Sequence, residues 1–528
     1  MTAQAEIVVA GAGHNSLITA AYLALAGYEV LVLDARDIPG GGAASEELLG
    51  PGFVVDSCST GHTLIQTNPL LVDDELGLLG HYGLEYLQPD PFAHVAFPDG
   101  KHLTAWLDRE RTVEEIARYS RHDAEAYGRL LDDYDEVKHI FAAGQFTPIG
   151  FGPSVEQLLS EHPRRNVWMR RRAMSAWDVI RHEFEDPHIQ AFLLWQSYQT
   201  LVPVESDGSG QLAYALVFGR QRRSWTIPRG GSGALTEALV RCIGDHGGSV
   251  ICGKRVTRLL LSGGRCTGVE TDEGERYTAR EAVVSTIHVK HLLEMAPADA
   301  WDEGFRYGVD TFDVGVSAMA VYMGTTAPPV FETPDGPRSA VSAGLAAFPR
   351  EVIEYGRALR DGRYVEDPAW VLVACPTLVD PSRAPAGHHT VKFLSAQSYG
   401  FPENKTAQAD RQLERVQAVA PGFTRDVILE RLVKAPEDIE AANPHMIRGT
   451  FHGGNRTYPQ SGALRPAAGW ASHRMPIDGL YQTGGTTHPG GSITGAPGRN
   501  AAVVLLQDLG LDLGEVVRSA GHPRAVGH

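Results

Sequence analysis

Residues 6–47 constrain the fold of this chain more than any other stretch, because they read as strand, turn, helix, strand and loop in close succession. Residues 7–10 and 30–33 are short apolar runs typical of buried parallel strands. Gly11 and Gly13 follow the first run and open a helix with a small-residue face. This order predicts a βαβ unit within a parallel sheet.

The glycine turn has the composition of a phosphate-binding loop. Gly11 permits a sharp turn, Gly13 leaves room for a pyrophosphate, and the helix N-terminus that follows offers free N–H groups to the anion. Asp34, directly after the second strand, suits a ribose with a free 2′-hydroxyl. Ser16 stands where the usual motif has its third glycine. We therefore predict a dinucleotide site; the alternative is an ordinary glycine-rich turn between strand and helix.

A second glycine-rich segment, residues 479–500, lies near the other end of the chain with the sequence GLYQTGGTTHPGGSITGAPGRN. Gly484 and Gly485 let the backbone pass close to a ligand. A helix expected over residues 501–509 would turn its positive end toward negative charge. Contacts from both ends of the chain favour FAD over NAD, which a single βαβ unit holds.

These segments also resemble a known family. Residues 11–47, GAGHNSLITAAYLALAGYEVLVLDARDIPGGGAASEE, resemble the N-terminus of the phytoene-desaturase-like FAD-dependent oxidoreductases, within the glutathione-reductase and amine-oxidase class of flavoproteins. Residues 228–239 and 479–500 are similar to later segments of the same family. The resemblance implies that the doublet Gly41-Gly42 approaches the FAD phosphates, with Arg36 nearby.

The motif and the resemblance together give a set of expected FAD contacts. Val256 is expected to reach the adenine side through its backbone. The full set is Gly11, Gly13, His14, Asn15, Ser16, Asp34, Ala35, Arg36, Gly41, Gly42, Ala43, Ala44, Val256, Gly484, Gly485, Ile493 and Thr494.

The expected fold class is α/β, with a Rossmann-like FAD-binding domain and a mixed α+β substrate domain formed by two insertions. The length of 528 residues exceeds one compact core. We expect the FAD-binding domain to comprise residues 1–69, 215–299 and 470–528, and the substrate domain to comprise residues 70–214 and 300–469. Three β-rich runs of the second insertion, at residues 314–323, 370–375 and 390–398, are expected to share one sheet.

The composition limits partners and location. The net charge of −17 argues against a nucleic-acid partner. Five scattered cysteines without a C-x-x-C pair indicate neither a disulfide framework nor a metal site. Residues 1–6 leave no room for a secretion signal, and we find no uninterrupted apolar run of about 18 residues. We expect a cytoplasmic protein without a transmembrane segment; peripheral membrane contact and the oligomeric state stay open.

Four polar residues are the candidates for catalysis. His62 follows a segment that the resemblance places near the flavin, Tyr198 ends an apolar run suited to a pocket wall, and His452 and His488 lie in glycine-rich loops. We expect the four side chains to converge on one pocket although they come from separate segments. For each, the alternative is a hydrogen-bonded structural residue.

The expected function is an FAD-dependent oxidoreductase that removes two electrons from a largely apolar small molecule and forms a C=C bond by hydride transfer to flavin N5. An amine or alcohol oxidase on the same fold is the first alternative. A NAD-binding dehydrogenase or a non-catalytic nucleotide-binding protein is the alternative of another class. The electron acceptor stays open among oxygen, a quinone and a nicotinamide.

Overall fold

The computed structural model describes residues 2–521. Its strands are β1 (Thr2–Ala10), β2 (Val30–Leu33), β3 (Ser45–Glu46), β4 (Val55–Asp56), β5 (Tyr86–Leu87), β6 (Ala93–Ala96), β7 (His102–Ala105), β8 (Ile227–Pro228), β9 (Ser249–Ile251), β10 (Val256–Ser262), β11 (Arg265–Thr271), β12 (Arg276–Ser285), β13 (Ala318–Thr325), β14 (Ser342–Ala346), β15 (Trp370–Ala374), β16 (His389–Ala396), β17 (Ile428–Lys434) and β18 (Leu480–Gln482).

The α-helices are distributed along the whole chain. They are α1 (His14–Leu25), α2 (Pro69–Val72), α3 (Arg109–Ala117), α4 (Arg121–Phe146), α5 (Val155–Ser160), α6 (Arg165–Ala173), α7 (Ala176–Glu183), α8 (Pro187–Tyr198), α9 (Leu212–Arg223), α10 (Gly233–Asp245), α11 (Val289–Glu294), α12 (Glu303–Asp310), α13 (Pro349–Arg360), α14 (Lys405–Val419), α15 (Pro436–Ala442), α16 (Ala496–Asp508) and α17 (Leu513–Ala520).

The first sheet has the order β10-β11-β12-β1-β2-β9, with β18 also paired to β12. Strands β9, β2, β1, β12 and β18 run parallel. Strand β11 pairs with β12 in antiparallel orientation, and β10 pairs with β11 in the same way. The predicted βαβ unit is therefore present. The carboxyl ends of the parallel strands lie at one edge, and Gly11, Asp34, Thr286 and Thr483 directly follow four of those ends. In open α/β sheets this edge is where ligands bind.

The second sheet has the order β17-β13-β16-β15-β14-β6-β7. The three β-rich runs of the second insertion supply β13, β15 and β16, so the prediction that they share a sheet is confirmed. The hairpin β6–β7 comes from the first insertion and pairs with β14 in parallel. Sequence reasoning missed this hairpin, because it emphasised the helical patterns of residues 70–214.

Packing does not follow the expected domain boundary at residues 69 and 70. Leu49 and Phe53 belong to the core between the second sheet and the helices of the first insertion, whereas Leu70, Leu76 and Leu84 belong to the core around α1 and α10. The chain thus enters the core of the second sheet at Leu49 and Phe53 and has returned to the core around α1 and α10 by Leu70. The exact boundaries stay predictions.

The structure also tests the expected start of one helix and the expected lack of a membrane-spanning helix. The last glycine-rich segment enters α16 at Ala496, so Pro497 to Asn500 form its first turn and the expected start at residue 501 was too late. Within residues 2–521, no helix has both the length and the apolar composition needed to cross a bilayer.

Candidate active site

A cavity of about 610 Å³ lies where the ligand-binding edge of the first sheet meets the second sheet. Its volume is within the range of about 300–1,000 Å³ typical of small-molecule sites. Its lining residues come from all five expected segments of the chain, including Leu372, Lys392 and Leu394 of the second sheet. The cavity therefore joins the expected nucleotide site to the expected substrate domain.

The glycine turn shapes one end of the cavity. Gly11 has a φ of +97°, and a Cβ atom at this position would lie 2.5 Å from the Cγ2 atom of Thr286, so the turn requires glycine. Ser16 does not line the cavity: its hydroxyl donates to the carbonyl oxygens of Gly11 (2.5 Å) and Gly13 (2.9 Å). The serine in place of the third glycine thus fastens the turn from behind.

Asp34 is held in a fixed orientation at the end of β2. Its carboxylate accepts hydrogen bonds from the backbone N–H groups of Ala12 (2.6 Å) and Arg36 (2.8 Å). Burial raises the pKa of Asp34, and these two backbone donors partly offset that increase. Two backbone bonds leave further acceptor sites on the carboxylate, and the residue lines the cavity.

The residues at this end fit FAD. No side chain caps the N-terminus of α1 and its first turn has no acidic residue, which suits a pyrophosphate. Asn15 lines the cavity, and its buried Oδ1 atom has no hydrogen-bond partner. A Cβ atom at Gly41, whose φ is +58°, would lie 3.2 Å from the Cα atom of Gly13. Arg36 is paired with Glu46 at 3.0 Å. Residues 34–47, which contain no other lysine or arginine, therefore offer no unpaired cation.

Most of the expected FAD contacts line this cavity. They are Gly11, Gly13, His14, Asn15, Asp34, Ala35, Arg36, Gly41, Gly42, Val256, Gly484, Gly485 and Ile493. The other four support the wall from behind. Besides Ser16, these are Ala43, whose carbonyl accepts from Thr236 Oγ1 (2.7 Å), Ala44, whose carbonyl accepts from the Ser57 N–H (3.1 Å), and Thr494, whose carbonyl accepts from Asn68 (2.8 Å).

Arg465 joins the C-terminal glycine segment to the loop that carries His452. The side chain is fully buried and donates to the carbonyl oxygens of Gly485 (2.5 Å), Asn455 (2.7 Å) and Gly453 (3.2 Å). A Cβ atom at Gly485 would lie 2.8 Å from the carbonyl oxygen of His452, so the two segments pass each other at backbone distance. This contact brings His452 to the cavity.

The four catalytic candidates do not converge. His452 lines the cavity, and its Nδ1 atom has no hydrogen-bond partner. His488 is outside the lining, and its Nε2 atom is 3.0 Å from the carbonyl oxygen of Gly144 in α4. The imidazole of His488 therefore fastens the glycine segment to the first insertion and does not face the pocket.

His62 and Tyr198 also lie behind the wall. His62 is fully buried, with Nε2 2.9 Å from Ser232 Oγ and Nδ1 3.3 Å from Tyr86 Oη. Tyr198 packs against Tyr355 and Trp370, with ring centroids 5.9 Å and 5.6 Å away. In both cases sequence neighbours line the cavity instead: Gly61 and Thr63 beside His62, and Gln199 after Tyr198. The expectation of a shared pocket was wrong for His62, Tyr198 and His488.

A buried charge cluster supports the middle of the cavity. Asp56 and Arg383 form an ion pair at 2.8 Å, and both side chains are 1% exposed. Lys392 on β16 donates from Nζ to the Cys58 carbonyl (2.5 Å) and to Thr60 Oγ1 (3.1 Å). The cluster therefore fixes residues 56–60, which carry cavity residues of the first sheet's domain, to the second sheet.

Burial keeps four of the histidines that line the cavity neutral at pH 7. Burial lowers the pKa of His14 and His445 to about 4 and that of His452 to about 3. Burial also lowers the pKa of His288, whose ring centroid is 5.5 Å from that of His445. These imidazoles contribute polar atoms without adding positive charge.

Sequence reasoning missed several lining residues. Thr286 follows β12 at the ligand-binding edge, so the strand-end rule was sufficient to find it. Arg220 of α9 lies three and four residues after Val217 and Leu216, on the face of the helix that helical periodicity predicts to be buried. Lys392 gave no comparable signal, because a lysine in a strand usually faces solvent.

Comparisons with known proteins agree with this geometry. The profile of a family described as flavin-containing amine oxidoreductase matches residues 17–506. The chain is 27% identical to one component of the limonene dehydrogenase of Castellaniella defragrans, over 97% of this chain and 96% of that protein. It is also 27% identical to a lycopene-forming phytoene desaturase of Pantoea ananas, over 95% and 99%.

The fold is also found in a solved amine oxidase. Cyclohexylamine oxidase from Brevibacterium oxydans superposes with a TM-score of 0.57 at 15% identity, covering 96% of this chain and 99% of that one. This similarity concerns the fold alone. The family match covers well over half of the chain, and the relatives match along nearly their full length.

Proposed function

This chain belongs to the flavin-containing amine oxidoreductase family and is an FAD-dependent oxidoreductase, and we propose that it oxidises a largely apolar small molecule by forming a C=C bond. We further propose that the cavity residues of the glycine turn, Asp34, Gly41, Gly42 and the Gly484-Gly485 segment hold FAD. Two relatives are named for limonene and phytoene, which are both hydrocarbons, and this supports an apolar substrate.

The composition of one wall carries the choice of substrate. We call this the substrate-side wall; it consists of Gln199, Thr200, Leu201, Leu216, Arg220, Trp225, Leu372 and Leu394. Five of these eight side chains are apolar or aromatic, and none is a carboxylate. Among the described residues, the acids that line the cavity are Asp34 and Glu294, and both lie on the domain of the first sheet. A protonated amine would therefore meet Arg220 with no counter-charge, so the wall favours an uncharged carbon centre over an amine.

The proposed reaction requires an acceptor for a hydride, a surface that holds the reacting carbons away from water, and an acceptor for a proton. FAD, when bound, supplies the acceptor for two electrons and one hydrogen. The leucines and Trp225 of the substrate-side wall hold the reacting carbons and exclude water. When a hydride leaves one carbon, the electron pair of the adjacent C–H bond forms the new π bond, and the second hydrogen departs as a proton.

We propose that His452 Nδ1 accepts this proton. The atom is without a hydrogen-bond partner, and the residue lines the cavity. Burial lowers the pKa of His452 to about 3, so the imidazole is neutral and able to accept a proton at pH 7. A weak base is sufficient here, because a carbon centre that has lost a hydride makes the neighbouring C–H bond strongly acidic.

We also propose that the protein is cytoplasmic. The five cysteines are all free, and four of them are buried. Reduced thiols of this kind fit a cytoplasmic protein.

The test combines cofactor content with anaerobic reduction. Protein expressed with excess flavin should release FAD on heating, and the bound flavin should bleach under argon when mixed with an apolar compound that has adjacent C–H bonds. Matched alcohols and primary amines serve as comparison substrates. Absence of FAD, or bleaching by amines alone, would falsify the proposal.

A further inference from the structure

Arg220 is the most unusual charged residue on the substrate-side wall. It lies in the last turn of α9, is 5% exposed, and lines the cavity beside Leu216, which is one turn earlier in the same helix. Burial lowers the pKa of Arg220 to about 9, so its guanidinium is still charged at neutral pH. A buried positive charge therefore borders an otherwise apolar wall.

The partners of this guanidinium are all neutral. Nη1 donates to the side-chain oxygen and the carbonyl oxygen of Gln196, the latter at 3.3 Å, and Nη2 donates to Gln199 Oε1 at 2.8 Å. Nε has no hydrogen-bond partner. Within residues 2–521, Arg220 forms no ion pair with a carboxylate, and its side-chain acceptors are the oxygens of Gln196 and Gln199. The protein itself supplies hydrogen bonds for Arg220 but no counter-charge.

Three other buried cations nearby differ from Arg220 either in their partners or in their position. Arg383 is paired with Asp56 at 2.8 Å. Lys392 lies within the electrostatic influence of Asp56 and uses its donors on Cys58 and Thr60. Arg465 is outside the cavity lining and is surrounded by carbonyl oxygens. An uncompensated charge on a cavity wall is unfavourable unless a ligand neutralises it.

We propose that Arg220 binds a carboxylate of the substrate, so that the substrate class is an apolar molecule that carries one carboxylate group. This inference rests on the proposed oxidation and specifies its substrate. A guanidinium presents a planar fork of N–H donors that matches the two oxygens of a carboxylate. One unpaired cation on this wall balances one negative charge, which fits a carboxylate better than a phosphate or diphosphate. Leu201, Leu216 and Trp225 provide the apolar surface for the remainder of the molecule.

The test is calorimetric binding to the holoenzyme. The probes are octanoate, decanoate and geranate, each compared with its own methyl ester, which keeps the apolar body and removes the charge. We expect at least one acid to bind about tenfold or more tightly than its ester. Arg220→Met should abolish that preference, and Arg220→Lys, which keeps the charge and loses the fork, should retain part of it. Arg222→Met removes an exposed cation of the same helix and should leave the preference unchanged.

Each outcome decides the proposal. Equal binding of every acid and its ester to the wild-type protein would overturn it, as would an acid preference that survives in Arg220→Met. If Arg220→Met does not fold, the wild-type comparison and Arg220→Lys still test the charge. FAD content and anaerobic bleaching are measured on the same samples. Bleaching by apolar compounds without a preference for the acid would reject the role of Arg220 and keep the proposed oxidation. A preference for the acid in protein that lacks FAD would keep the role of Arg220 and reject the proposed oxidation.

Discussion

The two walls of the cavity differ in whether their positive charges have acidic partners. On the side of the first sheet, Asp34 is bound by two backbone N–H groups and Arg36 is paired with Glu46. On the substrate-side wall, Arg220 has only amide and carbonyl oxygens as partners. The one cation of the first wall named here, Arg36, has an acidic partner within the chain, whereas the second wall carries a positive charge that the chain does not neutralise. This difference indicates that cofactor binding relies on shape and backbone donors, and substrate binding relies on one charged contact in an apolar surface.

The largest effect is expected where the two walls are joined. Asp56→Ala removes the partner of Arg383 and should lower the free energy of unfolding by about 3–5 kcal/mol, measured by chemical denaturation. Replacing both partners with apolar residues, Asp56→Leu with Arg383→Met, should recover part of the loss. An Asp56→Ala protein as stable as the wild type would show that the junction does not depend on this pair.

The same pair predicts a pH dependence. Burial raises the pKa of Asp56, but Arg383 and Lys392 outweigh burial and hold this pKa below its ordinary value. A depressed pKa stabilises the fold fully above the unfolded value of about 3.9, and the contribution is lost as the pH falls through the folded value. The stability difference between wild type and Asp56→Ala should be constant from neutral pH to about pH 5 and shrink below about pH 4.

The next largest effect separates two histidines. His452→Ala should slow anaerobic flavin reduction by about 100-fold with FAD content preserved, because it removes the proposed proton acceptor. His488→Ala is the matched control: His488 bonds the Gly144 carbonyl behind the wall, so reduction should stay within about twofold of wild type. Equal rates in both variants would remove His452 from the reaction.

A smaller effect tests the first wall. Asp34→Arg should weaken FAD binding by about 30-fold or more, equivalent to about 2 kcal/mol, since it replaces an acceptor with a cation beside Arg36. Asp37→Arg makes the same change at an exposed position three residues later and should retain FAD. FAD content after gel filtration is the measurement, and equal retention in the two variants would contradict the assigned ribose contact.

The smallest expected effect concerns Tyr198, the last residue of α8, in comparison with Gln199, which follows it. Tyr198 is buried with its hydroxyl unpaired, so Tyr198→Phe should change the unfolding free energy by less than about 1 kcal/mol and leave flavin reduction unaffected. Gln199→Leu removes the acceptor shared by Arg220 and Trp225 and should raise KM. Slow flavin reduction by the Tyr198→Phe variant would contradict this result and indicate that Tyr198 takes part in the reaction.

The sequence predicted the first wall well because its rules are local. A glycine turn after a parallel strand, and an acid after the next strand, identify Gly11 and Asp34 without knowledge of the rest of the fold. Thr286 follows from the same rule once β12 is recognised as a parallel strand.

The second wall depends on side-chain direction, which local sequence patterns do not specify. Tyr198 and Gln199 are adjacent, yet the first packs into the core and the second faces the cavity. His62 similarly points away while Gly61 and Thr63 line the wall. Lys392 depends on strand pairing in a sheet built from both insertions, so only the assembled fold shows its position.

Product analysis of a single turnover distinguishes C=C formation from the oxidation of an alcohol or an amine. The enzyme, with FAD bound and oxygen removed, is mixed with one equivalent of a substrate that bleaches the flavin, in water enriched in oxygen-18, and the product mass is measured. If the enzyme forms a C=C bond, we expect a product lighter by two hydrogen atoms, one new C=C bond for each flavin reduced, and no incorporated oxygen. A carbonyl formed from a hydroxyl group of the substrate would contradict C=C formation and identify an alcohol oxidase. A product that gains oxygen from water with release of ammonia would contradict it and identify an amine oxidase.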